Sequence, residues 1–352
     1  MTGEQIEGME DTRQMITLEL DRLTFRFPEV HPDAACAIDF QRTLRIPDDG
    51  DDYPLPPGLG SFPLRHVDDY LAQLPDAWRR RGGVLLPMHQ AEAMWLSFDS
   101  DSGYPFAIKV ATGKICAVTG DAWAERLNRD PQDYLVVPEQ PWLDGYCVEK
   151  GLIRQFVAMP LGAGYTVEEQ LTGAAEHGGL QIIAIPMKRE RYEEMRREET
   201  CRVAYDVAPD VVYGPPTESA MGLAPGGRMR QEIYDDPHGL DVWDQRHFSR
   251  CFVSIVNSRQ WQSITGEQPP TEPPTAAQYA NAGLPWFDYY RDLDAVEATD
   301  KLKDTSSVAA IAAKKGDAPL PANQTISPGN VIPIGSRRPA PRRRQVREMP
   351  HA

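Results

Sequence analysis

The chain has 352 residues, of which 41% are hydrophobic, 25% charged and 9% aromatic, a composition that excludes collagenous, wholly disordered and membrane-spanning proteins and allows a large buried core. Its 37 basic and 52 acidic side chains give a formal net charge of −15, so the main body repels phosphates and nucleic-acid binding by it is disfavoured. The charge is uneven: residues 335–352 hold Arg337, Arg338, Arg342, Arg343, Arg344 and Arg347 against Glu348, a local +5 that leaves −20 on the remainder.

Ile16, Leu18 and Leu20 alternate with polar neighbours before the phase shifts to Leu23, Phe25 and Phe27, which predicts two strands joined by a bend at Asp21-Arg22. Cys36, Ile38, Phe40, Leu44 and Ile46 then share one face of an extended segment, interrupted only by Arg42. The Asp48–Asp52 turn leads into Pro54–Pro63, expected as an extended surface excursion. Val67, Tyr70, Leu71 and Leu74 follow helical spacing until Pro75. Between Gly82 and Gly120, four apolar runs punctuated by turn residues predict two successive hairpins.

Tyr134–Val137, Leu152–Met159 and Leu180–Ile185 are short, β-branched-rich runs, the pattern of strands buried on both faces. Thr166-Val167-Glu168-Glu169 is a capping box that opens a helix. Met187–Glu199, dense in alternating charges, predicts an exposed helix and a possible subdivision near 190–200. Val203–Tyr213 and Phe248–Val256 read as strands separated by a Gly/Pro-rich loop at 214–227. The prolines of 267–274 impose an extended run, Thr275–Ala282 a short helix, and the aromatic Leu284–Tyr290 is expected to pack back on the body. Beyond about 296 the aromatics vanish, so a disordered Pro/Ala-rich tail ending in the arginine cluster is expected, as is a flexible N-terminus at 1–14.

Five widely spaced cysteines without a C-x-x-C pair point to reduced, buried thiols. With no signal-peptide pattern and no apolar run long enough to span a bilayer, the expectation is a soluble, cytoplasmic protein without membrane insertion.

Candidate chemistry is sparse. Glu139, Trp142, Asp144 and Glu149 place three carboxylates and an aromatic platform in a turn-rich stretch, the kit of a carbohydrate-active hydrolase, where a ring stacks on sugar and acids move protons. Gly162 and Gly164 precede the capped helix and suggest an anion site, and His177 lies beside two glycines that permit close backbone approach. Asp235, Asp236, His238, Asp241, Asp244 and His247 offer divalent-metal ligand types, although Pro237 and Gly239 favour a loop and the spacing fits no named site. The run Asp99–Gly103 reads as a polar turn, since Val110 stands where a calcium loop needs its bidentate glutamate.

The block Pro138–Gly145, continuing through Arg154–Gly162 to Glu169–Gly173, resembles a bacterial protein family of unknown function, over about Ile16 to Asp292. The resemblance implies no activity, cofactor or catalytic residue. The reading is a β-rich α+β protein: antiparallel sheets packed as a distorted sandwich with a few short helices, in one domain from 15 to 295. The leading function is a non-catalytic binding or assembly protein with a protein partner and an arginine tail for an anionic one. The alternatives are the hydrolase near Trp142 and a metal-dependent enzyme at 235–247.

Overall fold

A computed structural model describes residues 15–199, 220–289 and 293–334. The expected flexible N-terminus, the 203–213 strand and the arginine cluster lie outside the described residues. The first two strands, Ile16–Glu19 and Arg22–Arg26, form a hairpin with Leu20 and Asp21 at its tip, both at positive φ (51° and 63°). Such mirror-image turns match the right-handed strand twist. The Asp21 carboxylate ties the tip down, accepting from the Leu64 amide at 2.9 Å and from Arg65 Nη1 at 2.8 Å.

Among the described residues the strands make two large sheets and one small pair. In the first sheet the order is Ile16–Glu19, Arg22–Arg26, Ala35–Thr43, Ala93–Asp99, Leu152–Pro160, Met221–Arg230 and Asp52–Tyr53, antiparallel until the last, parallel pairing. Short strands at Gly58–Ser61, Trp142–Leu143 and Gly145–Glu149 extend it. The second sheet runs Ile115–Cys116, Phe106–Thr112, Leu180–Pro186, Ser249–Asn257, Val84–Met88 and Arg65–His66, with Leu135–Val137 beside Phe106–Thr112. Only its Val84–Met88 and Ser249–Asn257 strands pair in parallel.

One core joins the sheets: Phe25, Ile38, Phe40 and Leu96 from the first pack in the same cluster as Ile108, Val110, Ile182 and Val253 from the second. The molecule is therefore the β-rich sandwich expected from the alternation. Helices cover the outer faces. Trp78 and Trp261, on Asp76–Arg81 and Ser258–Thr265, cap Leu85 and Val256, and Val308 and Ile311 of the Val308–Lys315 helix cap Val157 and Ala224. No helix of the described residues is long and apolar enough to cross a membrane.

Four local expectations need correction. Val84–Met88 and Ala93–Asp99 do not form a hairpin: they belong to different sheets, so the turn between them arches across the sandwich. Residues 221–230, which begin inside the Gly/Pro loop expected at 214–227, form a strand of the first sheet instead. Its Gly226 and Gly227 are needed because a Cβ would stand 2.5 Å from Val157 Cγ2 and 2.2 Å from the Pro47 carbonyl oxygen, respectively. The Pro54–Pro63 excursion contributes the Gly58–Ser61 strand and buries Leu55 and Phe62. The boundary at 296 also fails. Asp300–Lys303 and Val308–Lys315 are helical, with Leu302, Val308, Ile311 and Ala312 buried. Low aromatic content hid a segment that docks through aliphatic side chains.

Candidate functional site

Trp142 stands on the Trp142–Leu143 strand, which adds to Ala93–Asp99 with Trp142 opposite Ser97. Its ring is half-buried, edge-on to Trp95 at 6.4 Å and to Tyr289 at 4.5 Å between centroids. Two residues on, Asp144 is buried. Its amide donates to Gln231 Oε1 at 3.0 Å, while its Oδ2 accepts from Gln231 Nε2 at 2.8 Å. Burial pushes the Asp144 carboxyl up to about 7, against hydrogen bonds from Trp142 and Gln231 that favour the charged form.

Beside them a cleft lined by Gln140, Trp142, Arg230, Gln231 and Tyr289 has room for about one water molecule. Gln140 is spent on holding the loop, donating to the carbonyls of Trp142 and Glu232 and accepting from the Tyr234 amide. The other two acids lie elsewhere: Glu139 faces His238 Nε2 at 3.5 Å, and exposed Glu149 faces Arg228 Nη1 at 3.5 Å. Of the four residues read as one constellation, the fold brings together Trp142 and Asp144.

The Gly162-Gly164 turn does precede the capped Val167–Thr172 helix, but the Gly164 amide donates to Glu169 Oε1 at 2.6 Å. The protein's own carboxylate takes the place proposed for an anion. His177 belongs to a dyad that the sequence did not reveal. Buried Glu168 accepts from His177 Nδ1 at 2.9 Å and from the amides of His177 and Gly178 at 3.1 and 2.8 Å. Arg81 donates to the carbonyls of Glu176 and His177, lies 4.8 Å over the Phe252 ring and lines an open groove of about 220 Å³ with Thr17, His66 and Asp68. The groove joins residues far apart in sequence, so spacing gave no sign of it.

The acidic run at 235–247 divides in two. Asp236 is a buried hub accepting from Tyr134 Oη (2.6 Å), Trp243 Nε1 (3.0 Å) and the amides of His238 and Gly239. Burial raises its pKa, but these donors prevail and hold it below the usual carboxylate range. Asp244 instead accepts from His247 Nδ1 at 2.9 Å. Among the described residues no three His, Cys, Asp or Glu side chains converge as a metal-binding group.

A further buried polar group was signalled only by the interruption at Arg42. Its Nε and Nη2 reach Glu92 Oε1 at 2.7 and 2.5 Å, Glu92 Oε2 accepts from the His89 amide at 2.8 Å, and all three side chains are buried. His89 Nε2 and Arg42 Nη2 in turn hold the consecutive carbonyls of Pro270 and Thr271, at 2.9 and 2.7 Å. Burial lowers His89 to about 4, so at neutral pH the ring is uncharged and donates through Nε2. The proline-rich strap 267–274 is thus pinned by side chains, including a bidentate Arg65–Glu267 pair, and none of its backbone groups pairs with another backbone group among the described residues. The thiols of Cys36, Cys116, Cys147 and Cys251 are buried and free, with burial raising all four, Cys147 and Cys251 to about 12. Such thiols are poor nucleophiles.

Compared with family models, with curated proteins and with solved structures, the chain matches none. Likeness therefore brings no function to these geometries.

Proposed function

We propose that the protein is a non-catalytic binding or assembly protein that joins a second copy of itself through its C-terminal segment. The observation that supports this is the Val331–Ile334 strand, whose Val331, Ile332 and Ile334 side chains are all exposed. It pairs in parallel with Trp286–Tyr289, whose buried Trp286 anchors it to the body. Because the Trp286 amide donates to the Asn330 carbonyl at 2.7 Å, residues 331 and 333 turn their backbones outward. Pro333 has no N–H to offer there, so the edge is blunted against strand addition and contact falls to the apolar side chains. Three residues beyond Ile334 the +5 arginine run begins, on a chain whose remainder carries −20. A second copy supplies the acidic surface that such a run complements. The free, buried thiols fit a reducing compartment, and we place the protein in the cytoplasm.

Sedimentation velocity of the full chain tests the reading. Reversible, concentration-dependent association is expected, weakened by high salt, by the Ile332→Asp/Ile334→Asp pair and by removal of 335–352. A chain that stays monomeric throughout the accessible concentration range overturns it. A second reading, the carbohydrate-active hydrolase, has one observation in its favour: Asp144 titrates near neutrality beside the Trp142 ring.

A further inference from the structure

Arg45 follows the Ala35–Thr43 strand and is 4% exposed. Its Nη2 donates to Asn323 Oδ1 at 2.8 Å, whereas Nε and Nη1 are buried with no hydrogen-bond partner among the described residues. The carboxylate whose charge reaches it, Asp48, is engaged elsewhere: Oδ2 accepts from the Ala309 amide at 2.8 Å and Oδ1 faces Arg154 Nη1 at 3.6 Å. Two guanidinium groups and the start of the Val308–Lys315 helix therefore share one carboxylate. A lysine in this position can shed its proton, but a guanidinium cannot in practice, so burying it without a counter-charge is expensive. Water would satisfy the two nitrogens as hydrogen-bond donors and leave Arg45 with only its share of the Asp48 charge.

We propose that Arg45 is the centre of a binding site for a small oxyanion, a phosphate or a carboxylate, one side chain below the surface. Asn323, itself half-buried, is the cover. Its amide oxygen marks where an anionic oxygen sits on Nη2, and Nε and Nη1 supply the remaining donors. The site is independent of the proposed self-association, because it lies on the Asn323 side of the C-terminal segment and uses none of residues 331–334.

Thermal unfolding of the full chain in low-salt buffer, with inorganic phosphate, acetate or chloride added at matched ionic strength, tests the site. Phosphate or acetate is expected to raise the melting temperature saturably above the chloride control. Stabilisation by phosphate alone identifies a tetrahedral anion, whereas a response to acetate as well identifies a carboxylate. Since the arginines at 337–347 also attract phosphate, two variants localise the effect. Arg45→Met should melt no lower than the parent without phosphate and lose the response. Asn323→Asp, which places a carboxylate on Nη2, should melt higher without phosphate and also lose the response. Equal stabilisation by chloride overturns the proposal, as does a response that survives in Arg45→Met. If Arg45→Met does not fold, Asn323→Asp decides, and a phosphate response equal to the parent's overturns it.

Discussion

Asp144 shows how a single buried side chain ties this molecule to pH. In the unfolded chain its carboxyl loses its proton near 3.8, whereas in the folded protein burial holds the proton to about 7. Across that window the native state binds a proton that the unfolded state has released, so stability falls as pH rises, by about 1.4 kcal/mol per unit. Asp144→Asn keeps an acceptor for Gln231 and removes the ionisation. We expect the variant to be more stable than the parent by on the order of 1–4 kcal/mol at about pH 8, with little difference near pH 4, as measured by urea unfolding. Loss of stability at both pH values would show that the carboxylate is held charged. The nearness of Trp142 to Asp144 was legible because they are two residues apart. Their partners Gln231 and Tyr289 were not, and neither was the Glu92 that neutralises Arg42 from 50 residues away. A buried ion pair leaves only half a trace in one strand's pattern, here a charge on an otherwise apolar face.

Among the elements, the Met221–Arg230 strand carries a tight constraint. Gly227 has no room for a methyl group, because the neighbouring atom is a backbone carbonyl that cannot rotate away. Gly227→Ala should therefore cost about 1–3 kcal/mol or more in chemical denaturation, whereas Gly162→Ala, where a Cβ would meet nothing within 4 Å, carries only the cost of its positive φ. Equal, small effects at both positions would argue that the sheet readily yields at 227. This strand was also the least legible. Pro225-Gly226-Gly227 has the composition of a turn, and only the backbone approaching from Pro47 explains why glycine belongs in a sheet there. Alternation did identify the Ala35–Thr43 strand and an apolar run between turn residues the Phe106–Thr112 strand, and the Thr166 capping box forms with both of its hydrogen bonds. Pairing is a different matter. Alternation reports that a strand has one buried face, not which neighbour it finds, so Val84–Met88 and Ala93–Asp99 were read as partners although they lie in opposite layers.

At the scale of the whole molecule, the segment from Asp300 to Ile334 buries Leu302 in the core shared by the two large sheets, and Val308 and Ile311 against Val157 and Ala224. Truncation after Ile334 should leave the melting temperature unchanged. Truncation after Thr299 should lower stability by several kcal/mol, at roughly 1.5–3 kcal/mol for each large aliphatic side chain uncovered. Calorimetry of the two shortened chains separates these outcomes, and identical melting would mean that the segment adds nothing to the body. A further consequence lies in the second sheet, where Val84 pairs with Val253 in parallel. A chain emerging from a ribosome cannot seat that central ladder until Val253, about 170 residues after Val84, has been made. Until then the early strands present unsealed apolar edges, so growth conditions that slow translation should favour nascent-chain clumping and chaperone dependence.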